Sequence, residues 1–184
     1  MIKQLIYVLS ILVLMSCVNN ETKQYYDTGE LQSTHKYSKG FSEEEVVFYF
    51  KNGNIEQEGL FVNNIQEGKW NFYFENGKLE SSGFYKDNSL EGKWKFYDSL
   101  GFLTTEGFYI KDLQQGNWIT YYKNGKVKSI GPYVDNFANG KTKFYNEKGQ
   151  LTSIENNLND KTHGEVIYYD TLGKVNCIGH YKED

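Results

Sequence analysis

Three histidines, His35, His163 and His180, are the side chains best suited to proton transfer or metal binding in this sequence. None of them has a partner at a metal-ligand spacing. Asp98 and Asp170 stand at the start of turns, where a carboxylate caps the turn. No Gly-x-Ser-x-Gly, P-loop or dinucleotide fingerprint occurs. We therefore expect no catalysis, no metal and no cofactor.

Cys17 is the residue whose position indicates covalent chemistry. Residues 1–16 place Lys3 before a short apolar run, as in a signal peptide, and the run is shorter than the about 20 residues that span a membrane. Residues 14–17, Leu-Met-Ser-Cys, resemble the lipobox of bacterial lipoproteins. The resemblance implies cleavage before Cys17 and acyl chains on its sulfur and amino group, enough for stable anchoring. The alternative is an ordinary signal peptide with an incidental cysteine.

Charge and cysteine content narrow the classes of partner. Cys177, the only other cysteine, lies beside Ile178 without a positively charged neighbourhood, so we expect a buried and inert thiol. All 20 basic residues are lysines and the formal net charge is −4. The arginine forks that recognise phosphates and bases are therefore missing. We expect a protein partner, no nucleic acid, and membrane contact through the lipid anchor only.

A period of 24 residues organises the rest of the chain. Glycine recurs at positions 29, 53, 77, 101, 125, 149 and 173 without insertion or deletion, a tyrosine stands four residues before each, and an aliphatic residue two residues after each. Two further glycine columns run from Gly59 and from Gly68, and Trp70, Trp94 and Trp118 follow the second of them by two residues. Such spacing indicates an array of one small unit.

The unit is predicted to be a β-hairpin. Residues 68–74 alternate as a strand does, and Asn76-Gly77 begins a turn, as do residues 98–101 with their closing glycine. Gly77 and Gly101 should have positive φ. A second turn is marked by residues that tolerate left-handed geometry, namely Gly40, Asn64, Asn88, Asp112, Asn136 and Asp160. The units chain into an elongated, all-β, single-layer antiparallel meander of about fourteen strands.

Two details of this meander stay open. A two-residue turn would place Trp94, Phe96, Leu103 and Gly107 on one face, whereas a three-residue turn with a bulge would group Tyr97, Leu103, Gly107 and Tyr109. Pro132, the only proline, falls inside a predicted strand and must cost that strand a hydrogen bond. We expect the regularity of the array to decay from Pro132 onward.

These columns resemble the MORN repeat, in its shorter bacterial variant. The family pattern of glycine-x-tryptophan, aromatic pair, turn and glycine-x-tyrosine is carried here by Gly92-Lys93-Trp94, Phe96-Tyr97 and Gly107-Phe108-Tyr109. The resemblance covers Tyr25 to Tyr181 and implies a MORN-type solenoid without shared chemistry. The pattern fails at Thr142 and Val166 in place of tryptophan, and at His35 and Glu155 in place of glycine. Degraded end units are expected of a capped solenoid.

We therefore expect a signal peptide over residues 1–16, a lipidated tether over 17–23, and six to seven repeats over 24–184. The expected function is a non-catalytic lipoprotein of the bacterial envelope that binds or scaffolds protein. Two alternatives are an antitoxin-like neutraliser of an effector protein, which relatives of this kind are often labelled, and a module that binds cell-wall glycan. The candidate binding surface is a ladder of Trp70, Trp94 and Trp118; the competing interpretation is that this ladder is the sheet's own packing.

Overall fold

The computed structural model of the protein describes residues 21–38 and 42–182, and this part of the chain contains β-strands and no helix. The fifteen strands are β1 (Glu21–Tyr25), β2 (Leu31–Ser38), β3 (Glu43–Tyr49), β4 (Ile55–Val62), β5 (Ile65–Tyr73), β6 (Leu79–Lys86), β7 (Ser89–Tyr97), β8 (Leu103–Ile110), β9 (Leu113–Tyr121), β10 (Val127–Val134), β11 (Phe137–Ala138), β12 (Gly140–Tyr145), β13 (Leu151–Leu158), β14 (Lys161–Tyr169) and β15 (Val175–Tyr181). The all-β, hairpin-repeat prediction is confirmed.

Consecutive strands pair antiparallel in one open sheet that runs in chain order from β1 to β15. Strands β11 and β12 are two parts of one strand, interrupted at Asn139, and both pair with β10. The interruption lies beside Pro132, which has no N–H to donate to the neighbouring strand. The Pro132 carbonyl still accepts a hydrogen bond, from the Asn139 N–H at 2.9 Å. With β11 and β12 counted together, the described strands form seven hairpins.

Each hairpin closes on a left-handed glycine. The Gly77 N–H donates to the Phe74 carbonyl, and the Phe74 N–H donates to the Lys78 carbonyl, both at 2.8 Å. The loop therefore has three residues and a bulge behind it. Gly77 has φ 80° and Gly101 φ 89°, as predicted, and the other five glycines of the period also have positive φ. The Asn-Gly turns thus share the geometry of residues 98–101.

Two-residue turns join one hairpin to the next. Both central residues are left-handed, for example Lys111 at φ 49° and Asp112 at φ 66°, which is the turn that matches the twist of the flanking strands. The Oδ1 atom of Asp112 accepts from the Leu90 N–H at 2.7 Å, and the Asp112 N–H donates to the Leu90 carbonyl at 3.1 Å. Asn88, Asn136 and Asp160 bind the preceding hairpin in the same way. Asparagine and aspartate therefore supply both the left-handed backbone and an acceptor.

Bulges at the glycine column that begins with Gly68 and includes Gly116 set the register between hairpins. Gly116 has φ 66°, and at this point the single residue Gly107 of β8 lies opposite three residues of β9. On the other side of β9 the register is unbroken there, and Trp118 pairs directly with Gly131. The tryptophan is thus flanked by a glycine on each neighbouring strand, and the absence of side chains on these glycines leaves space for the indole ring.

The array begins earlier than the sequence indicated. Strand β1 starts at Glu21, and Lys23 pairs with Thr34 of β2, so residues 21–23 belong to the sheet rather than to the predicted tether. The predicted signal peptide and Cys17 lie outside the described residues.

Candidate binding surfaces

Two rows of residues cross the sheet next to each other on opposite faces. The tryptophan row consists of Thr22, His35, Val46, Gly59, Trp70, Gly83, Trp94, Gly107, Trp118, Gly131, Thr142, Glu155, Val166 and Gly179. The central row consists of Lys23, Thr34, Val47, Glu58, Asn71, Ser82, Lys95, Glu106, Ile119, Ile130, Lys143, Ile154, Ile167 and Ile178. Each row places one residue on every main strand.

The three tryptophans of the proposed ladder are buried. Trp70, Trp94 and Trp118 expose 0%, 3% and 5% of their surface. Each ring covers a glycine of the preceding hairpin so closely that a Cβ atom on that glycine would lie about 2 Å from the ring. The indole N–H of Trp94 donates to the Phe84 carbonyl at 3.1 Å, and that of Trp70 to the Leu60 carbonyl at 3.3 Å. The indole N–H of Trp118 is buried without a partner among the described residues.

Aromatic neighbours complete the burial of each tryptophan ring. The ring centroid of Trp94 lies 5.4 Å from that of Tyr85, 6.1 Å from that of Phe96 and 6.2 Å from that of Phe72. These distances are typical of favourable aromatic pairs, worth about 0.5–1.5 kcal/mol each. The burial favours the interpretation of the ladder as packing. Its use as a ligand platform stays a prediction.

At two places where the repeat pattern fails, a large residue in the glycine slot is matched by a small residue in the tryptophan slot. The large glycine-slot residue His35 pairs with Val46, and Glu155 pairs with Val166, so a smaller residue replaces tryptophan in both places. Val46 and Val166 are each 1% exposed. Both valines are thus buried as fully as the tryptophans, whereas Thr142, which takes the place of tryptophan beside Gly131, has no such compensation and is half-buried.

His35 takes part in a hydrogen-bond chain that the sequence pattern did not reveal. Its Nε2 atom lies 2.7 Å from Ser33 Oγ, and its Nδ1 atom lies 2.6 Å from Glu44 Oε1. Serine, histidine and carboxylate in this order also occur in hydrolase active sites. Here, however, Ser33 is 0% exposed, so no substrate reaches its hydroxyl. These hydrogen bonds give partners to both ring nitrogens of His35, which occupies the glycine slot.

The central row changes character halfway along the sheet. From β4 to β8 its members are polar or charged, and from β9 to β15 they are isoleucines apart from Lys143. Ile178 is 49% exposed, and Ile119, Ile130, Ile154 and Ile167 are half-buried. We name these five isoleucines the isoleucine strip. The same change is visible in the sequence along one column of the 24-residue period, which reads Glu58, Ser82, Glu106, Ile130, Ile154 and Ile178. The sequence did not show on which face of the sheet this column lies.

Tyrosines of the 24-residue period lie on the same face as the central row. Tyr73 donates to Glu58 at 2.6 Å and Tyr121 to Glu106 at 3.0 Å. Burial, together with the hydrogen bond to Glu58 and its negative charge, raises the pKa of Tyr73 to about 12. Burial would raise the pKa of Glu106, but the hydrogen bonds from Lys93 and Tyr121 outweigh it and lower that pKa below its ordinary value of 4.5.

Tyr145 and Tyr169 have no such carboxylate. The positions equivalent to Glu58 and Glu106 are Ile130 and Ile154 in their repeats, which cannot accept a hydrogen bond. Within the described part of the chain, neither hydroxyl has a hydrogen-bond partner. The isoleucine strip is therefore bordered by phenol groups that are available to a partner.

The remaining chemically capable residues are scattered. His163 lies in the sheet with its Nδ1 atom buried and unpartnered among the described residues, and His180 is exposed on β15. Cys177 is exposed rather than buried, because its strand has no outer neighbour in the described sheet. Residues 21–38 and 42–182 hold no group of three metal-ligating side chains. Nothing helical in these ranges has the length and apolar character that a membrane crossing demands.

Comparison with known proteins places the array in a family. The family model described as "MORN repeat variant" matches residues 45–63, 66–87, 114–135 and 162–183. No curated protein sequence matches the chain significantly. The first three matches each run from β3, β5 or β9 across the tight turn into the two-residue turn that follows, and the fourth begins in β14 and includes β15, so each match covers one hairpin.

Solved structures give only a distant likeness. A crystal structure of a mutant of S. aureus TarM in complex with Fondaparinux, alpha-GlcNAc-glycerol and UDP matches at 12% identity and a TM-score of 0.40, over 56% of this chain and 21% of that chain. A second crystal structure of TarM matches at 14% identity and a TM-score of 0.38, over 68% and 22%. Neither bears on the activity of this chain. The four family matches, the hairpin period and the glycine–tryptophan packing together identify the chain as a MORN-repeat protein.

Proposed function

We propose that this chain is a non-catalytic scaffold that binds a partner protein through the isoleucine strip. The observation that supports the proposal is the change of the central row from polar residues to isoleucine at β9. Strands β4 to β8 form the same sheet with polar or charged residues in this row, so the fold does not require isoleucine there. Residues that depart from a repeat without serving it are free to serve a partner.

The composition of the strip defines the kind of partner. The isoleucines offer an apolar line across β9 to β15, and the hydroxyls of Tyr145 and Tyr169 can donate hydrogen bonds beside it. Lys141 and Lys143, both exposed, lie on the same face. A protein surface with aliphatic side chains flanked by carboxylates complements this arrangement. An effector protein neutralised by the chain would be one such partner.

Site-specific photo-crosslinking tests the strip directly. A photoreactive residue would be placed at Ile154 in one variant and at Ser82 in another, because both occupy the same column of the repeat. In intact cells we expect Ile154 to yield a discrete protein adduct that Ser82 does not yield, and Ile167→Lys to abolish it. Equal adducts from both positions, or none from Ile154, would reject the strip as the binding surface. Quenching of tryptophan fluorescence by cell-wall fragments would favour glycan binding instead.

We further propose that the chain is held at the bacterial cell envelope by lipidated Cys17. The lipobox resemblance of residues 14–17 supports this location, and β1 begins only four residues after Cys17, at Glu21. The sheet would therefore lie close to the membrane surface. We expect Cys17→Ala to release the chain from the membrane fraction or to leave it uncleaved. A variant that fractionates and migrates as the natural sequence does would exclude lipidation.

A further inference from the structure

The tryptophan row contains two slots that are open within the described residues. Inside the sheet, each glycine-slot residue is matched by a residue of the following hairpin, from His35 with Val46 to Glu155 with Val166. Gly179 on β15 has no following strand in the described sheet, and the atoms nearest to where its Cβ would lie belong to the rings of Tyr181, at 3.2 Å, and Tyr168, at 3.9 Å. Thr22 on β1 has no preceding strand there. One end of the array thus offers a glycine, and the other offers a residue for the tryptophan slot.

The same two residue types already meet inside the sheet. At the junction of β10 with β12, Thr142 covers Gly131 so closely that a Cβ atom on Gly131 would lie 2.2 Å from Thr142 Oγ1. In the central row of that junction, Ile130 pairs with Lys143. Counted by the 24-residue period, Gly131 and Ile130 correspond to Gly179 and Ile178 on β15, and Thr142 and Lys143 correspond to Thr22 and Lys23 on β1. The two ends therefore carry the residues of a junction that the chain itself forms.

The outer edge of β15 also lacks the usual protection against pairing. Exposed edge strands are commonly blocked by lysine or proline, and Val175–Tyr181 contains neither. Its bulge at Asn176 does not block pairing, because β6 and β10 carry the same bulge and still pair with the strand that follows. Most of this strand is exposed, including Val175 at 55% and Ile178 at 49%. Its unpaired backbone groups can accept an antiparallel strand.

The turn next to β15 holds one more unmet donor. Lys78 Nζ donates to the Leu100 carbonyl at 2.7 Å, and Lys126 Nζ donates to the Lys148 carbonyl at 2.8 Å, each time in the following hairpin. Lys174 occupies the equivalent position and has no hydrogen-bond partner for its ammonium group among the described residues. A further hairpin beside β15 would supply the carbonyl.

We infer that the chain associates head to tail, with β1 of one copy pairing antiparallel to β15 of the next, so that Thr22 covers Gly179. This contact uses different surfaces on the two copies and therefore propagates the sheet into short filaments rather than closing a dimer. The inference is independent of the partner proposed for the isoleucine strip, which remains exposed in the filament.

A disulfide scan tests the pairing and its register. By correspondence with Ser129 and Phe144, which pair in β10 and β12, Cys177 of one copy should face Gln24 of the next. The full-length chain would carry Gln24→Cys, with Cys17→Ser so that only Cys177 can react with the new thiol. Mild oxidation should give a ladder of dimer, trimer and larger species on a non-reducing gel, because directly opposed strand residues meet the distance that a disulfide needs.

Matched variants make the result decisive. Lys23→Cys points to the opposite face of β1 and should give no ladder. Gly179→Trp, which fills the slot with a ring that leaves no space for Thr22, should remove the ladder of Gln24→Cys while circular dichroism stays unchanged. Monomer alone from Gln24→Cys would overturn the inference, as would equal ladders from Gln24→Cys and Lys23→Cys. Dimers formed by Cys177 in the chain without Gln24→Cys would indicate tail-to-tail pairing and would also overturn it.

Discussion

The indole ring of Trp94 covers the backbone of Gly83, and a Cβ atom on Gly83 would lie 2.1 Å from the ring. The ring cannot move away freely, because Tyr85, Phe72 and Phe96 surround it. The two residues belong to successive hairpins, so this one contact joins neighbouring units of the array. It explains why the sequence repeats a glycine eleven residues before each tryptophan.

Gly83→Ala should destabilise the protein by about 2–3 kcal/mol, because the added methyl group overpacks the contact with Trp94. Urea unfolding monitored by tryptophan fluorescence would measure the change. The double variant Gly83→Ala and Trp94→Val should lose less than the sum of the two single variants, since His35 with Val46 and Glu155 with Val166 already combine a larger residue with valine. Strict additivity would contradict the proposed coupling.

Asp112→Ala should cost about 1–2 kcal/mol of unfolding free energy. The substitution leaves the Leu90 N–H without its side-chain acceptor and places alanine at φ 66°, a conformation that alanine adopts with strain. Asp112→Asn keeps both the acceptor and the tolerance of left-handed geometry, as Asn88 and Asn136 show, and it should stay within about 0.5 kcal/mol of the natural sequence. Chemical denaturation of the three proteins at equal pH would compare them.

Glu106→Gln should destabilise the protein at pH 7 by about 0.5–1 kcal/mol, because it removes the charge that pairs with Lys93 at 3.0 Å. Folding lowers the pKa of Glu106, so its contribution is complete above the ordinary value of 4.5 and is lost as the pH falls through the folded value. The two proteins should therefore approach equal stability at pH 3. The exposed Glu80 provides a control, since Glu80→Gln should change little at either pH. A difference that persists at pH 3 would show that the charge is not its source.

Hydrogen exchange should be slowest in the central hairpins. Amides around Trp94 and Trp118 lie between unbroken strands with buried aromatic rings, whereas β11 and β12 are interrupted beside Pro132. We expect the amides of residues 153–159 to exchange much faster than those around the two tryptophans. Equal protection of the two regions in a mass-spectrometric exchange experiment would mean that the array absorbs the proline without loss of stability.

The architecture was predictable from the sequence, because separate sets of residues that recur every 24 positions mark the strands, the tight turns and the two-residue turns. Which residues share a face of the sheet was not predictable, because two bulges in each repeat shift the pairing of the strands. Tyr97 pairs with Leu103, as a three-residue loop requires, but beyond the bulge Phe96 pairs with Thr105 and Trp94 with Gly107. Beyond that point the register is the same as that of a two-residue turn. The face grouping of the two-residue alternative therefore holds for Trp94, Phe96 and Gly107, although the turn itself is of the other kind.

The isoleucine strip escaped prediction for the same reason. Its members come from both the forward and the return strands, and their alignment depends on the bulge at the second glycine column, which shifts pairing by two residues between hairpins. Once Glu106 is known to pair with Ile119, the change from polar to apolar residues along the row is evident. Burial of the tryptophans was equally dependent on register, because it required a glycine opposite each ring.

The glycine–tryptophan contact also governs how such arrays can grow or shrink by gene duplication. Loss of residues 65–88 would bring Gly59 opposite Trp94, a pair of the same kind as those already present. Loss of residues 41–64 would instead bring His35 opposite Trp70, where two large side chains would compete for one space. Central units are thus interchangeable copies, whereas the units that carry His35 and Glu155 are tied to the valine of the unit that follows. Recombination within this gene would preserve the fold only at the boundaries that respect these pairs.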